Sequence, residues 1–248
     1  MKYITQKPFL FTFVILIVFV LSLIIPPTGI LVIIFGVLLI RKLKLQNLAG
    51  INFSIPYKHK WYSVIPVYLI VIGVFRLVFD FDFSGINATD VLILLIATLG
   101  VGFSEEIVFR GILQSYFLKH FQKNKNAIYI GVILPSVLFG CMHLLNLTDP
   151  ESNSLEVIIQ VVYAIFIGTC FGAILLKTNR LLPLAIIHAL INFVFGIGTL
   201  NEIKAVDTIS TLEHISPLLA TFPMFIIGLY ILRKMKNEKN TNTQQRST

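Results

Sequence analysis

Val91-Leu92-Ile93-Leu94-Leu95-Ile96-Ala97-Thr98-Leu99-Gly100-Val101-Gly102-Phe103 runs without a charge into Ser104-Glu105-Glu106-Ile107-Val108-Phe109-Arg110-Gly111. A water-soluble domain has no use for so apolar an approach to two carboxylates and an arginine. In a bilayer the same arrangement is costly, and ionisable groups at such depth mark a functional site by default. The reading of this stretch therefore decides the fold class, and the rest of the chain has to supply the groups that meet the carboxylates.

Composition agrees with a membrane setting. The 248 residues are 56% hydrophobic and 13% charged, with a mean hydropathy of +0.86, which leaves too little polar surface for a soluble domain of this length. The 12% aromatic content, 21 Phe against one Trp, suits helices that face lipid. Net charge is +8, yet the basic residues stand in short clusters between apolar runs. No basic stripe with interleaved aromatics is present, so nucleic acid is not an expected partner. Cys141 and Cys170 both lie inside apolar runs and read as small core residues. The N-terminus has the charge pattern of a signal peptide without its cleavage site, so Phe9 to Ile25 reads as a retained first helix.

A span needs about 17–25 apolar residues. Eight stretches qualify or nearly do: 8–25, 29–40, 62–79, 91–115, 127–147, 157–176, 181–199 and 215–232. Gly100 and Gly102 interrupt the fourth, Pro135 is expected to bend the fifth and Pro223 the eighth. The loops alternate in sign. Lys2 and Lys7, then Arg41 to Lys60, Lys119 to Lys125, Lys177 with Arg180, and Arg233 to Arg246 are basic; Asp80 to Asp90, Asp149 to Glu156, and Glu202, Asp207 and Glu213 are acidic. Alternation of this kind requires an even number of spans, and the positive-inside rule then puts both termini in the cytoplasm. The fold expected is an all-α polytopic membrane protein, a bundle of about eight transmembrane helices. It forms a single transmembrane domain over 1–236 with a polar, disordered cytoplasmic tail over 237–248. Arg76 is expected to pair with Asp80 one turn later, and Gly168-Thr169-Cys170-Phe171-Gly172 has the spacing that lets another helix approach closely within the bundle.

Few strongly polar residues remain at depth: Glu105, Glu106 and Arg110 on the fourth helix, His143 on the fifth, His188 and Asn192 on the seventh. Glu106 and Arg110 are four apart and share a face, acid before base. Glu105 is turned by about 100° from Glu106, which allows one carboxylate to be held by the arginine while the other works as a base. A carboxylate, two histidines and an amide from three helices make a general-base and oxyanion set, or most of a metal-ligand set. By rise along the helices, Glu105 and His188 lie at similar depth, whereas His143 falls about 10 Å toward the outer side. No H-E-x-x-H zinc helix and no G-x-S-x-G elbow occur, and every Asp lies in or at the edge of a loop.

Glu105-Glu106-x-x-x-Arg110, Phe139-x-x-x-His143 and His188-x-x-x-Asn192 together resemble the three motifs of the CPBP family. This is the CAAX protease and bacteriocin-processing (Abi) family, which includes the type II CAAX prenyl proteases. The resemblance covers residues 104 to 192 and implies a protease core within 91–199. It implies an intramembrane endopeptidase of a family often classed among metalloproteases, in which Glu105 activates water with help from His143. His188 and Asn192 would stabilise the oxyanion, and Arg110 would hold Glu106. Zinc on Glu105, His143 and His188 and a metal-free glutamate mechanism are both compatible with these residues; Asn192, a poor zinc ligand, favours the second. The substrate does not carry over: some members trim prenylated C-terminal tripeptides, while bacterial members act in peptide maturation or bacteriocin self-immunity. The Lys- and Asn-rich composition favours the second group, a small hydrophobic peptide or membrane-anchored precursor in a bacterial cytoplasmic membrane. The rivals are a non-catalytic immunity or scaffold protein that binds a partner in the bilayer, and a proton-coupled transporter, against which the lack of an inverted repeat counts.

Overall fold

Without water to bond, a backbone at membrane depth satisfies its own polar groups, and a helix does so within one segment. The computed structural model describes residues 5–24, 28–200 and 211–245, and no strand occurs among them. Helices form at all eight expected stretches. They are α1 (Pro8–Ile24), α2 (Thr28–Lys42), α3 (Val67–Asp80), α4 (Ala88–His120), α5 (Ala127–Met142), α6 (Ser154–Thr178), α7 (Leu182–Gly196) and α8 (Thr211–Gln245). A 3₁₀ turn, Lys60–Val64, leads into α3, and another, His143–Thr148, prolongs α5. Six of the eight helical runs have the length and hydropathy to cross a bilayer; α1 and α2, with 17 and 15 residues described, are shorter. The chain is a polytopic helical membrane protein, and six rather than eight helices carry the span criterion.

Burial is graded as a bilayer requires. Phe9, Phe35 and Phe79 point outward, 85%, 65% and 67% exposed, whereas Phe171, Ile174 and Leu175 on α6 are fully enclosed. α6 is the axis of the bundle, flanked by α5 and α8, while α7 packs on α3 and α4, and α2 packs on the middle of α4. Glycines set the closest approaches. A Cβ on Gly228 of α8 would stand 3.0 Å from the Cα of Cys170 on α6. Gly172 lies against Gln114, whose Nε2 donates to the Gly172 carbonyl at 2.9 Å. The glycine pair 168/172 thus serves packing inside the bundle.

Caps fix the helix ends that matter for the site. Asn87 opens α4 by accepting from the Asp90 amide, and Asn153 opens α6 by accepting from the Leu155 amide. Asn179 closes α6 in the left-handed conformation, φ 52°. The turn that follows is held by Arg180, which is buried and donates to the carbonyls of Asn52, Ile55 and Asn179. Gly50, at φ 66°, lets the 43–57 segment lie against that turn, where its carbonyl accepts from Leu181.

The ends of the bundle separate by charge. Lys119 reaches the Leu43 carbonyl, Lys236 bonds Asn126, and Lys177 pairs with Glu238 at 3.2 Å, so the basic loops meet at one end. At the other end Asn146 bonds Gln160, and His214 stands 3.8 Å from Glu156.

Two expectations change. α4 passes through Gly100 and Gly102 unbroken, and its irregular part lies later, a π-helical segment over Ile107–Gln114. α8 continues as helix to Gln245, so the 237–245 part of the tail prolongs it, with Lys177–Glu238 tying its base to α6. The acids Glu202 and Asp207, the dipeptide Pro26-Pro27 and the last three residues lie outside the described residues, as do the side chains of Asp80 and Glu213.

Candidate active site

Close approach of α4 and α7 creates the centre. Gly102 precedes Glu105 by one turn, and a Cβ there would stand 2.7 Å from the amide nitrogen of Ala189. With the helix backbones in contact at this point, His188, the neighbour of Ala189, reaches the carboxylates of α4.

The side chains form a chain. Arg110 Nη1 lies 2.9 Å from Glu106 Oε1. The same Oε1 lies 2.9 Å from His188 Nδ1. With Glu106 ionised as the partner of Arg110, Nδ1–H donates and the carboxylate accepts, an assignment that follows from the partners. His188 Nε2 then faces Glu105, whose Oε2 is 3.4 Å away. The two carboxylates are unequal: the Glu106 side chain is wholly enclosed, and that of Glu105 keeps 15% exposure.

Arg110 is held mainly by ring faces. Its Cζ lies 4.5 Å from the centroid of Phe139 on α5 and 5.9 Å from that of Phe171 on α6. The contact with Glu106 is one of distance rather than alignment. Glu106 Oε2 and both Nη atoms of Arg110 are buried without a hydrogen bond among the described residues. Gly168 makes room for the guanidinium, since a Cβ there would stand 3.1 Å from Nη2.

His143 opens the 3₁₀ turn at the end of α5. Its ring meets Phe139 edge to face at 5.2 Å, and Phe139 in turn meets His188 at 5.8 Å. One phenyl ring therefore touches both histidines, and no ion pair joins His143 to either carboxylate among the described residues. Asn192 stands one turn beyond His188, half-buried, with no side-chain hydrogen bond among the described residues. The structure thus brings Glu105, Glu106, Arg110 and His188 into direct contact and leaves His143 and Asn192 on the margin.

A zinc ion on Glu105, His143 and His188 does not fit this arrangement. Among the described residues no three His, Cys, Asp or Glu side chains converge to share an ion, and each ring nitrogen of His188 already faces a carboxylate.

Two contributors escape the polar inventory of the sequence. Gln114, buried, continues the stripe Glu106, Arg110, Gln114 at intervals of four and anchors it to α6. That interval was a readable signal. Phe171 carries no sequence signal beyond its place between two glycines.

Comparison with known proteins adds one finding. Residues 87–194, under half of the chain, match a family model described as Type II CAAX prenyl endopeptidase Rce1-like. The matched segment begins at the cap of α4 and contains all six site residues. No curated protein and no solved structure matches the chain.

Proposed function

From the match of residues 87–194 to the Rce1-like model of type II CAAX prenyl endopeptidases, we propose that the chain is a member of that family and cleaves a small hydrophobic peptide or membrane-anchored precursor with water activated by Glu105. Peptidase chemistry in the membrane is the activity at family level; the division of labour among residues is our reading. The observation that carries it is the inequality of the two carboxylates. Glu106 is enclosed between Arg110 and His188, while Glu105 alone retains access.

In this reading Glu105 takes a proton from water as the oxygen bonds to the peptide carbonyl carbon. The carbonyl π electrons move to its oxygen. As the tetrahedral species collapses, the C–N bond breaks and Glu105 returns the proton to the leaving amine. Glu106 fixes the His188 ring through Nδ1–H, which leaves Nε2 toward the reacting centre as an oxyanion donor when protonated, beside the amide of Asn192. His143, in contact with the Phe139 ring, assists from the margin. In this reading the basic end, with both termini, faces the cytoplasm, as the positive-inside rule expects, and the membrane is that of a bacterial cell.

Replacement by Ala or Gln tests the base. Purified Glu105→Gln is expected to lose about 10²–10⁴-fold in kcat, and cells carrying it to accumulate a membrane peptide precursor visible by proteomics. Retained cleavage would sink the mechanism, and an unchanged cellular phenotype would favour a scaffold. With no ion in the scheme, a strong zinc chelator such as phenanthroline is expected to leave turnover unchanged. Chelator-sensitive activity restored by added zinc would contradict this.

A further inference from the structure

We infer that Phe171, which stands outside the three motif pairs, is a positioning residue for His188. With Phe139 it forms a two-ring brace that sets the imidazole between the two glutamates. The geometry is nearly symmetrical. Phe139 and Phe171 meet His188 with centroids 5.8 and 5.9 Å away, both at an interplanar angle of 88°. Both also present their faces to the Arg110 guanidinium. Phe171 is fully buried and Phe139 nearly so. Rotation of His188 about its Cβ–Cγ bond would swing the imidazole into one of these rings. The brace therefore keeps Nδ1 on Glu106 and Nε2 on Glu105, where the hydrogen bond to Glu106 alone would leave the ring a softer hinge.

The backbone around Phe171 is built for that task. Gly168 lies against Arg110 and Ser136, Gly172 against Gln114, and Gly228 of α8 closes on Cys170 from behind. α6 brings no ionisable side chain to the centre, so Phe171 is its contribution. The inference rests on the proposed role of His188, but the position of a ring is measurable without turnover.

The test compares Phe171→Leu, which keeps apolar bulk and removes the ring, with Phe166→Leu. Phe166 lies on the same helix and packs on Phe222 and Phe225 of α8, away from the site. The first readout is ¹⁵N NMR of histidine-labelled protein in detergent, with the His188 signals assigned by their loss in His188→Asn. Wild type and Phe166→Leu are expected to show one set of His188 ring-nitrogen shifts. Phe171→Leu is expected to show a displaced or second set. Superimposable His188 signals in wild type and Phe171→Leu overturn the inference, and so do equal displacements in both leucine variants.

The second readout is cleavage of a quenched fluorescent small hydrophobic peptide in the same detergent. Phe171→Leu is expected to lower kcat about tenfold or more and to alter the pH–rate profile, with KM held within about twofold. Phe166→Leu is expected to leave both constants and the profile unchanged. A wild type that leaves the peptide intact counts against the proposed substrate class, and the NMR comparison then decides the role of Phe171 alone.

Discussion

Glu105 and Glu106 share a side chain and a position in the chain, and their difference comes entirely from what other helices place beside them. Glu106 lies 2.9 Å from both Arg110 and His188, and removal of one partner leaves a buried charge uncompensated. Arg110→Met is therefore expected to lower stability by about 3–5 kcal/mol, with much of the loss recovered in the double variant Glu106→Gln/Arg110→Met. Unfolding of the three proteins in mixed micelles measures this, and additive losses would mean that the pair is not coupled. The pairing of Glu106 with Arg110 was legible because both residues lie on one helix four apart. The contact of Glu106 with His188 was not, because the rotation of α7 about its axis is set by where Gly102 meets Ala189. The ring faces around Arg110 were illegible for the same reason: Phe139 and Phe171 resemble the nineteen other phenylalanines until the helices are packed.

Helices announce themselves in this chain by apolar length, and all eight were readable to within a few residues at most ends. Their internal irregularities were not. Ile107–Gln114 has an ordinary helical pattern, yet it winds as a π-helix where Gly111 packs against Ile40 of α2 and Leu181 before α7. Helix rise alone puts His143 toward the outer side, while the motif resemblance assigns it to the centre. His143 begins a 3₁₀ turn and shares the Phe139 ring with His188. Gly100 and Gly102 looked equivalent as breaks, and only the packing separates them. A Cβ at Gly100 meets nothing within 4 Å, whereas one at Gly102 would strike the α7 backbone. Gly102→Val is expected to cost about 1–3 kcal/mol by overpacking and to abolish cleavage, while Gly100→Ala leaves both stability and activity intact. Thermal unfolding alongside a turnover assay distinguishes them; equal effects would remove Gly102 from its role.

Across the whole molecule, charge divides one end from the other, a division written into the loops before any packing is considered. The alternation of loop signs was readable, and the bonds Lys119–Leu43, Lys236–Asn126 and Lys177–Glu238 gather the basic loops together. Arg180 alters the inventory. It serves as a buried tie between the 43–57 segment and the α6–α7 turn, so its charge is not free at the surface. If the basic end is cytoplasmic, single cysteines introduced at Lys58 and Lys123 are expected to resist an impermeant thiol reagent in intact cells, and one at Glu151 to react. The reverse pattern would invert the topology.

The π segment also bears on how this helix tolerates insertion and deletion. A π turn holds one residue more than an α turn over a similar rise, so the halves Ala88–Glu106 and Ser115–His120 are out of helical phase. The extra residue is thus absorbed inside Ile107–Gln114, and both halves keep the faces they turn to their neighbours. Loss of a residue there that the site does not use, such as Leu113, lets the run relax toward regular α-helix with the carboxylates still facing His188. The same loss in the regular stretch, such as Ile96, turns the residues before it by about 100° relative to the carboxylates, with every proposed functional side chain still present. In this protein the frame of the helix is as much a part of the proposed catalytic equipment as the acids it carries.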